Sequence, residues 1–251
     1  MRILLMGYGR MGHQVEEAAL ARGHEISCRV DAGGNGDATT LTAALLEDAD
    51  GVIEFALPTG LKERAKLYAQ CGVPAAVGTT GWDHLIPEIS ALFQEGSGAF
   101  MRGSNFSVGA HLFFRLTRAA ARLANRVEEY DASLIEHHHT KKADFPSGTA
   151  LTAAEGMLEE LDRKTHICAT LPQGPIAPEA LQVAAVRVGS VPGVHEMLID
   201  SPNDYLSLRH EARNRGGFAL GSVRALEWLE GRQGWYEAEA FIDDLLTGEE
   251  Q

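Results

Sequence analysis

Residues 1–12 read Met1-Arg2-Ile3-Leu4-Leu5-Met6-Gly7-Tyr8-Gly9-Arg10-Met11-Gly12: an apolar run ending at Met6, then glycine at positions 7, 9 and 12. A short apolar run bounded by glycine has the length of a buried strand, and G-x-G-x-x-G directly after it opens a stretch of helical period. In that setting each glycine has a separate task. The first permits a tight turn, the second lets the backbone come close to a pyrophosphate, and the third lets helix pack on strand; the helix N-terminus offers unpaired N–H groups to the anion. Gly7, Tyr8, Gly9, Arg10, Met11 and Gly12 are therefore the expected pyrophosphate loop of a dinucleotide site.

Outward from this loop the first hundred residues repeat the same alternation of short apolar runs and amphipathic stretches, which predicts βαβ units around a parallel sheet. Strands are expected near 2–6, 25–30, 51–56, 74–77 and 98–102, each followed by turn residues. In an open parallel sheet the ligand crevice lies at the carboxyl ends of the strands. Asp31 ends the second expected strand, where an acidic residue meets the adenosine ribose hydroxyls and repels a 2′-phosphate. Ala32, Gly33 and Gly34 follow it without a basic residue, so NADH is favoured and NADPH is the alternative. After Asn105 the texture changes: a long helix is expected over 108–124, a strand over 130–136 and a helix opening at Ser147. Strands over 183–188, 194–199 and 205–212 then suggest a second, mostly antiparallel sheet, and a helix over 217–230 suggests return to the first lobe.

The chain has 251 residues, 45% hydrophobic and 23% charged, a balance that supports a packed core and a length that suits two modest lobes. A net charge of −13 opposes nucleic-acid phosphates and anionic membranes, so neither is an expected partner. Cys28, Cys71 and Cys168 are odd in number and widely spaced, fitting reduced, buried thiols better than a disulfide framework or a metal knuckle. The apolar run at the N-terminus is far below the ~20 residues that span a bilayer and lacks a cleavage pattern, so a cytoplasmic location is expected.

Segment 136–150, EHHHTKKADFPSGTA, crowds three histidines and two lysines against a helix start. Pro146-Ser147-Gly148-Thr149 supplies backbone N–H groups, hydroxyls and a small residue that allows close approach, a setting suited to a substrate carboxylate. Lys142 can add positive charge or a proton, and a nearby histidine can assist at neutral pH. Such groups suit reduction of a polarised C=C or C=N bond. A metal is not expected, because successive strand histidines point to opposite faces and the lysines repel a cation.

This segment resembles the signature of the dihydrodipicolinate reductases, E-x-H-H-x-x-K-x-D-x-P-S-G-T-A, anchored here on Asp144 and Pro146–Thr149. The resemblance implies a catalytic His138, a substrate-binding His139 and an acidic Lys142, with Ser147, Gly148 and Thr149 receiving carboxylates; a shift of the histidine pair by one to His137 and His138 stays open. Gly78-Thr79-Thr80-Gly81 is similar to the family's nicotinamide-side loop, and Ser104-Asn105-Phe106-Ser107-Val108-Gly109 to another family segment, which adds Gly78, Thr79, Thr80, Ser104, Asn105 and Phe106 to the expected cofactor contacts. Arg187-Val188-Gly189, Gly193-Val194-His195-Glu196 and the stretch from Arg215 to Trp228 also resemble the family, whereas the connection from Asp31 to Val52 is shorter than usual. What the resemblance implies is an α/β chain: a Rossmann-type parallel lobe over 1–106 and 217–251, and a central α+β lobe with a mixed, mostly antiparallel sheet over 107–216. That central lobe would bind substrate and mediate a homotetramer. The implied reaction is NAD(P)H-dependent reduction of 4-hydroxy-tetrahydrodipicolinate in lysine and diaminopimelate biosynthesis, with Lys142 and His138 supplying the proton. Two rivals share the glycine loops: a two-lobed dehydrogenase of amino acid semialdehydes or sugars, and a non-enzymatic NAD-sensing protein.

Overall fold

Parallel strands buried on both faces are mostly apolar, and the computed structural model, which describes residues 1–94, 98–170 and 174–248, forms the middle of its first sheet from such runs. The strands are β1 (Arg2–Met6), β2 (Glu25–Val30), β3 (Gly51–Glu54), β4 (Ala75–Val77) and β5 (Ala99–Arg102), alternating with α1 (Arg10–Ala21), α2 (Ala43–Glu47), α3 (Leu61–Cys71) and α4 (Ile86–Gln94). A sixth strand, β11 (Gly234–Glu237), comes from the far end of the chain and pairs parallel to β5. Strand order is β11-β5-β4-β3-β1-β2, with each pairing parallel. The order reverses between β1 and β3, which puts the Gly7 turn at the switch point where such sheets hold ligands.

One face of this sheet, with Leu4, Val30 and Val52, packs on Leu61, Tyr68 and Phe93 of α3 and α4. The other, with Ile3, Leu5 and Ile53, packs on Val15 of α1 and on the chain's last helices, α7 (Gly216–Trp228) and α8 (Ala238–Thr247), through Val223, Leu226, Phe241 and Ile242. Each such side chain contributes about 1.5–3 kcal/mol by leaving water. The chain's return to the first sheet, expected from the helix over 217–230, is thus present, and β11 is an addition that the apolar pattern did not signal.

The second sheet contains β6 (Asp131–His138), β7 (His166–Cys168), β8 (Ala180–Arg187), β9 (Val194–Asp200) and β10 (Tyr205–Glu211), in the order β10-β9-β6-β8-β7. It is mixed, as expected: β10–β9 and β9–β6 run antiparallel over seven residue pairs each, while β6–β8 and β8–β7 run parallel over five and three. The reason for the parallel part is α6 (Gly148–Leu158), which follows β6 and returns the chain to the same end, a crossover that makes the next strands parallel. Its core joins Leu134, Leu181, Val183 and Met197 of the strands to Ala150, Ala153 and Met157 of α6 and to Phe113 and Ala121 of α5 (Val108–Ala124).

By internal contacts the chain divides into one unit of Met1–Val108 with Arg215–Gln251 and another of Gly109–Asn214; of the first lobe expected to run to 251, residues 249–251 lie outside the described residues. Of the three free thiols only Cys28 is buried, Cys71 and Cys168 being partly exposed at the ends of their elements. No helix among the described residues is long and apolar enough to cross a membrane.

Candidate active site

The sharp turn after β1 is made by Gly7, whose φ of +91° suits glycine alone and whose hypothetical Cβ would lie 2.6 Å from the Phe55 carbonyl oxygen. Gly12 is equally constrained, since a Cβ there would lie 2.5 Å from the Gly7 oxygen. Gly9 differs: it is the N-cap of α1 and a Cβ on it would meet nothing within 4 Å, so the loop is open on the side from which an anion reaches the helix start. Arg10 is exposed, Met11 packs against the adjoining core, and the Tyr8 hydroxyl is held by Glu16. These residues fit a dinucleotide pyrophosphate.

Asp31 is tied to this loop. Its Oδ2 accepts the Tyr8 N–H at 2.9 Å and its Oδ1 accepts the Gly33 N–H at 2.8 Å. The Tyr8 amide is the main reason that its carboxyl is held below the usual range. Arg29, on β2, is committed to Glu16 and to Asp37, the latter at 3.1 Å.

At the ends of β4 and β5, Thr79, Thr80, Gly81, Trp82, Asp83, Arg102 and Ser104 line a small pocket. Thr79 is buried, its hydroxyl donating to the Ala56 carbonyl at 3.0 Å and lying 3.3 Å from Glu54 Oε1; Thr80 is exposed. Gly78 has no room for a Cβ, which would fall 2.0 Å from the Phe55 ring. Asn105 Oδ1 accepts the Ser107 N–H at 2.8 Å, closing the next turn, and the Phe106 side chain is in the core. Sequence reasoning passed over Glu54. This fully buried carboxylate at the end of β3 takes Arg64 Nη2 at 2.6 Å and the Tyr68 hydroxyl at 2.7 Å, and through Thr79 it anchors the loop. An acid inside the apolar run Val52-Ile53-Glu54-Phe55 was its only signal.

In the second unit β6 alternates strictly, burying Ala132, Leu134, Glu136 and His138 on one face and turning Ser133, Ile135 and His137 to the other. The alternation separates His138 from His137. Glu136, with no exposed surface, is the hub of that face: its Oε1 accepts the Ser147 N–H at 2.9 Å and Arg187 Nη2 at 3.0 Å, and its Oε2 accepts the Ser147 hydroxyl. His138 Nδ1 lies 3.1 Å from Oε2, close enough for a charge contact but not aligned as a hydrogen bond. His195 Nε2 lies 3.2 Å from Ser147 Oγ and 3.5 Å from the same carboxylate. Burial opposes ionisation of Glu136, but His138, His195 and Ser147 outweigh it and hold the carboxyl well below the usual range. Burial pushes His195 below the ordinary imidazole value.

The donor atoms of Glu136, His138 and His195 lie within 4.8 Å of one another, a spacing that a metal ion can bridge, but the Arg187 guanidinium already brings positive charge to that carboxylate. Gly193 makes room for the imidazole, since a Cβ on it would sit 2.9 Å from His138 Nε2.

α6 begins at Gly148 with Ser147 as N-cap, its Oγ accepting the Ala150 N–H at 3.2 Å. Ser147 is therefore buried and fully engaged, shaping the helix start from beneath, while Gly148 is exposed with open space around its Cα and Thr149 is partly exposed. The Asp144 carboxylate bridges Lys142 Nζ, at 2.8 Å, and the Gly148 N–H, at 3.3 Å. Lys142 is a main reason that Asp144, despite partial burial, ionises more readily than usual. The His139 carbonyl accepts the Lys142 N–H at 3.1 Å, which fixes the loop, and His139 Nδ1 is buried without a hydrogen-bond partner. Lys141 is exposed. Within this unit, then, His138, His139, Lys142, Ser147, Gly148 and Thr149 come from one strand end, one loop and one helix start; Glu136, Arg187 and His195, to which the sequence assigned no role, join the strand end to Ser147 and, through Arg187 and the Asp144 carbonyl, to the loop.

Family models described as Dihydrodipicolinate reductase, N-terminus, and Dihydrodipicolinate reductase, C-terminus, match residues 1–104 and 109–242. A 4-hydroxy-tetrahydrodipicolinate reductase of Christiangramia forsetii is 32% identical over 98% of this chain and 99% of its own. Another, of Chromobacterium violaceum, is 35% identical over 92% of this chain and 93% of its own. A dipicolinate-bound dihydrodipicolinate reductase structure from Paenisporosarcina sp. TG-14 has the same fold, with a TM-score of 0.75 at 21% identity over 94% of this chain and 97% of that one.

Proposed function

Because the chain belongs to the dihydrodipicolinate reductase family, we propose how its own residues carry out the family reaction, the NAD(P)H-dependent reduction of 4-hydroxy-tetrahydrodipicolinate to tetrahydrodipicolinate in diaminopimelate and lysine biosynthesis. The observation that carries the substrate assignment is Asp144: a carboxylate already rests between Lys142 Nζ and the first amide of α6. A dicarboxylate substrate finds the same two donors, together with the Thr149 amide and His139, whose buried Nδ1 has no partner. Gly148 leaves space for the ligand oxygen to approach, and Ser147 holds the helix start in place.

The loop Gly7–Gly12 and Asp31 hold the dinucleotide, and Gly78, Thr79, Thr80, Ser104, Asn105 and Phe106 shape the nicotinamide end, Asn105 and Phe106 through backbone and turn geometry. When bound, the nicotinamide supplies the hydride to the ring carbon of a conjugated imine. Loss of water from the hydroxylated carbon first creates that conjugated imine, and Lys142, with His138, holds the proton that completes the reduction. Orienting the reacting groups in this way is worth roughly 7–11 kcal/mol of barrier. The coenzyme is NADH, since Asp31 opposes a 2′-phosphate, residues 31–42 hold no lysine or arginine, and Arg29 is committed to Glu16 and Asp37. The enzyme works in the cytoplasm as a homotetramer assembled through the second sheet, a role supported by the edge strand β10, which exposes Tyr205 and Leu206.

The test is to mix the protein with freshly prepared 4-hydroxy-tetrahydrodipicolinate and either NADH or NADPH and follow loss of reduced-nicotinamide absorbance. Turnover with NADH preferred is expected. Absence of turnover, or turnover confined to a sugar or semialdehyde, overturns the reading. Light scattering should give four times 27.1 kDa.

A further inference from the structure

One carboxylate reaches both halves of the substrate machinery. Glu136 Oε1 accepts the N–H of Ser147, the residue that caps α6, and Glu136 Oε2 accepts that residue's hydroxyl. The same Oε2 lies 3.1 Å from Nδ1 of His138, two positions along the strand, leaving Nε2 as that ring's other polar atom. Arg187 at 3.0 Å and His195 at 3.5 Å enclose the carboxylate from β8 and β9, and no part of Glu136 is exposed to substrate or solvent. A buried carboxylate with hydrogen bonds from Ser147 and Arg187 and two imidazoles packed against it is stabilised as an ion and fixes the groups bound to it.

Resting on the reductase reading above, we propose that Glu136 is a positioning residue: by hydrogen-bonding Ser147 while its other side stands 3.1 Å behind the His138 ring, it sets the carboxylate-binding start of α6 and the imidazole in register with each other. Two separate contacts would let helix start and ring shift independently. A shared anchor makes any displacement of one a displacement of the other, and misplacement on the ångström scale costs activity heavily.

The experiment is a double-mutant cycle of Glu136→Gln with His138→Ala, read as kcat, as KM for each substrate and as the dissociation constant of pyridine-2,6-dicarboxylate. Glutamine keeps size and accepting oxygen but loses the charge. Glu136→Gln alone is expected to lower kcat about 10–100-fold and to weaken the dicarboxylate, with the KM for NADH unchanged. In the His138→Ala background the same substitution should lower kcat far less, because the ring it positions has gone. Equal losses in both backgrounds indicate general damage and overturn the proposal, as does an unchanged kcat. Should Glu136→Gln not fold, Ser147→Ala removes the hydroxyl link while leaving Glu136 with Arg187; a loss of dicarboxylate affinity supports the proposal and wild-type behaviour overturns it. Failure of the wild type to turn over refutes the activity instead, and the dicarboxylate affinity of Glu136→Gln then decides the positioning claim, unchanged affinity overturning it.

Discussion

Replacing Gly193 by alanine should disable the enzyme without removing any ionisable group. The added Cβ would stand 2.9 Å from Nε2 and 3.3 Å from Cδ2 of His138, where non-bonded carbon contacts are best near 3.5–4.0 Å. The ring has little room to retreat: Glu136 lies 3.1 Å behind Nδ1, and the His195 ring centroid is 5.1 Å away. Relief therefore takes a shift of roughly 0.5–1 Å in the imidazole or in the β9 start, and a misplacement of that size costs on the order of 100-fold in rate. Overpacking should also cost about 1–3 kcal/mol of stability. The assay is steady-state kinetics beside thermal melting, with Gly156→Ala as control, because a Cβ there meets nothing within 4 Å and alanine suits the middle of α6. The control should keep full kcat and gain up to about 1 kcal/mol. A Gly193→Ala enzyme with wild-type kcat would refute the idea that His138 is held at a fixed place.

Lys142→Ala should retain NADH affinity and lose about 10²–10⁴-fold in kcat, and an unchanged turnover rate would remove Lys142 from the proton-donating role. Asp31→Ser should shift the ratio of kcat/KM values for NADH and NADPH toward NADPH by about 10–100-fold, since a carboxylate near a phosphate at ~4 Å costs roughly 1–4 kcal/mol; an unchanged ratio would count against Asp31 as the discriminating charge. Acid should weaken the fold in two stages. His195 and His210 are held below the imidazole value, first by burial, so the unfolded chain takes up protons near pH ~6.5 that the folded one refuses, and stability falls as pH drops below that point. Glu136, held well below the carboxylate range, adds a second loss as pH falls under ~4.3. His195→Gln should flatten the first stage in denaturant titrations between pH 7 and 5, and an equal slope in both proteins would show that His195 is not its source.

The first unit up to β5 could be read along the chain, because its central strands are short, mostly apolar runs and its glycines stand where Gly7 and Gly12 cannot carry a side chain. The loop from His139 to Thr149 was equally readable, its residue types being adjacent in sequence. What could not be read were pairings between distant segments. Glu136 meets Arg187 and His195 only because β6 lies between β8 and β9, and Glu54 anchors Thr79 only because β3 and β4 are neighbours. The direction of β8 depended on α6 acting as a crossover, and β11, four residues with Trp235 and Tyr236, was too short to show a period.

That β11, α7 and α8 belong to the first unit bears on how the protein is made. While the ribosome works through residues 109–214, the sheet face carrying Ile3, Leu5 and Ile53 still lacks Val223, Leu226, Phe241 and Ile242, and β5 has an open edge. A nascent or prematurely terminated chain is thus left with a sticky half-built sheet, the kind of surface that chaperones cover. Only α7, β11 and α8 seal it.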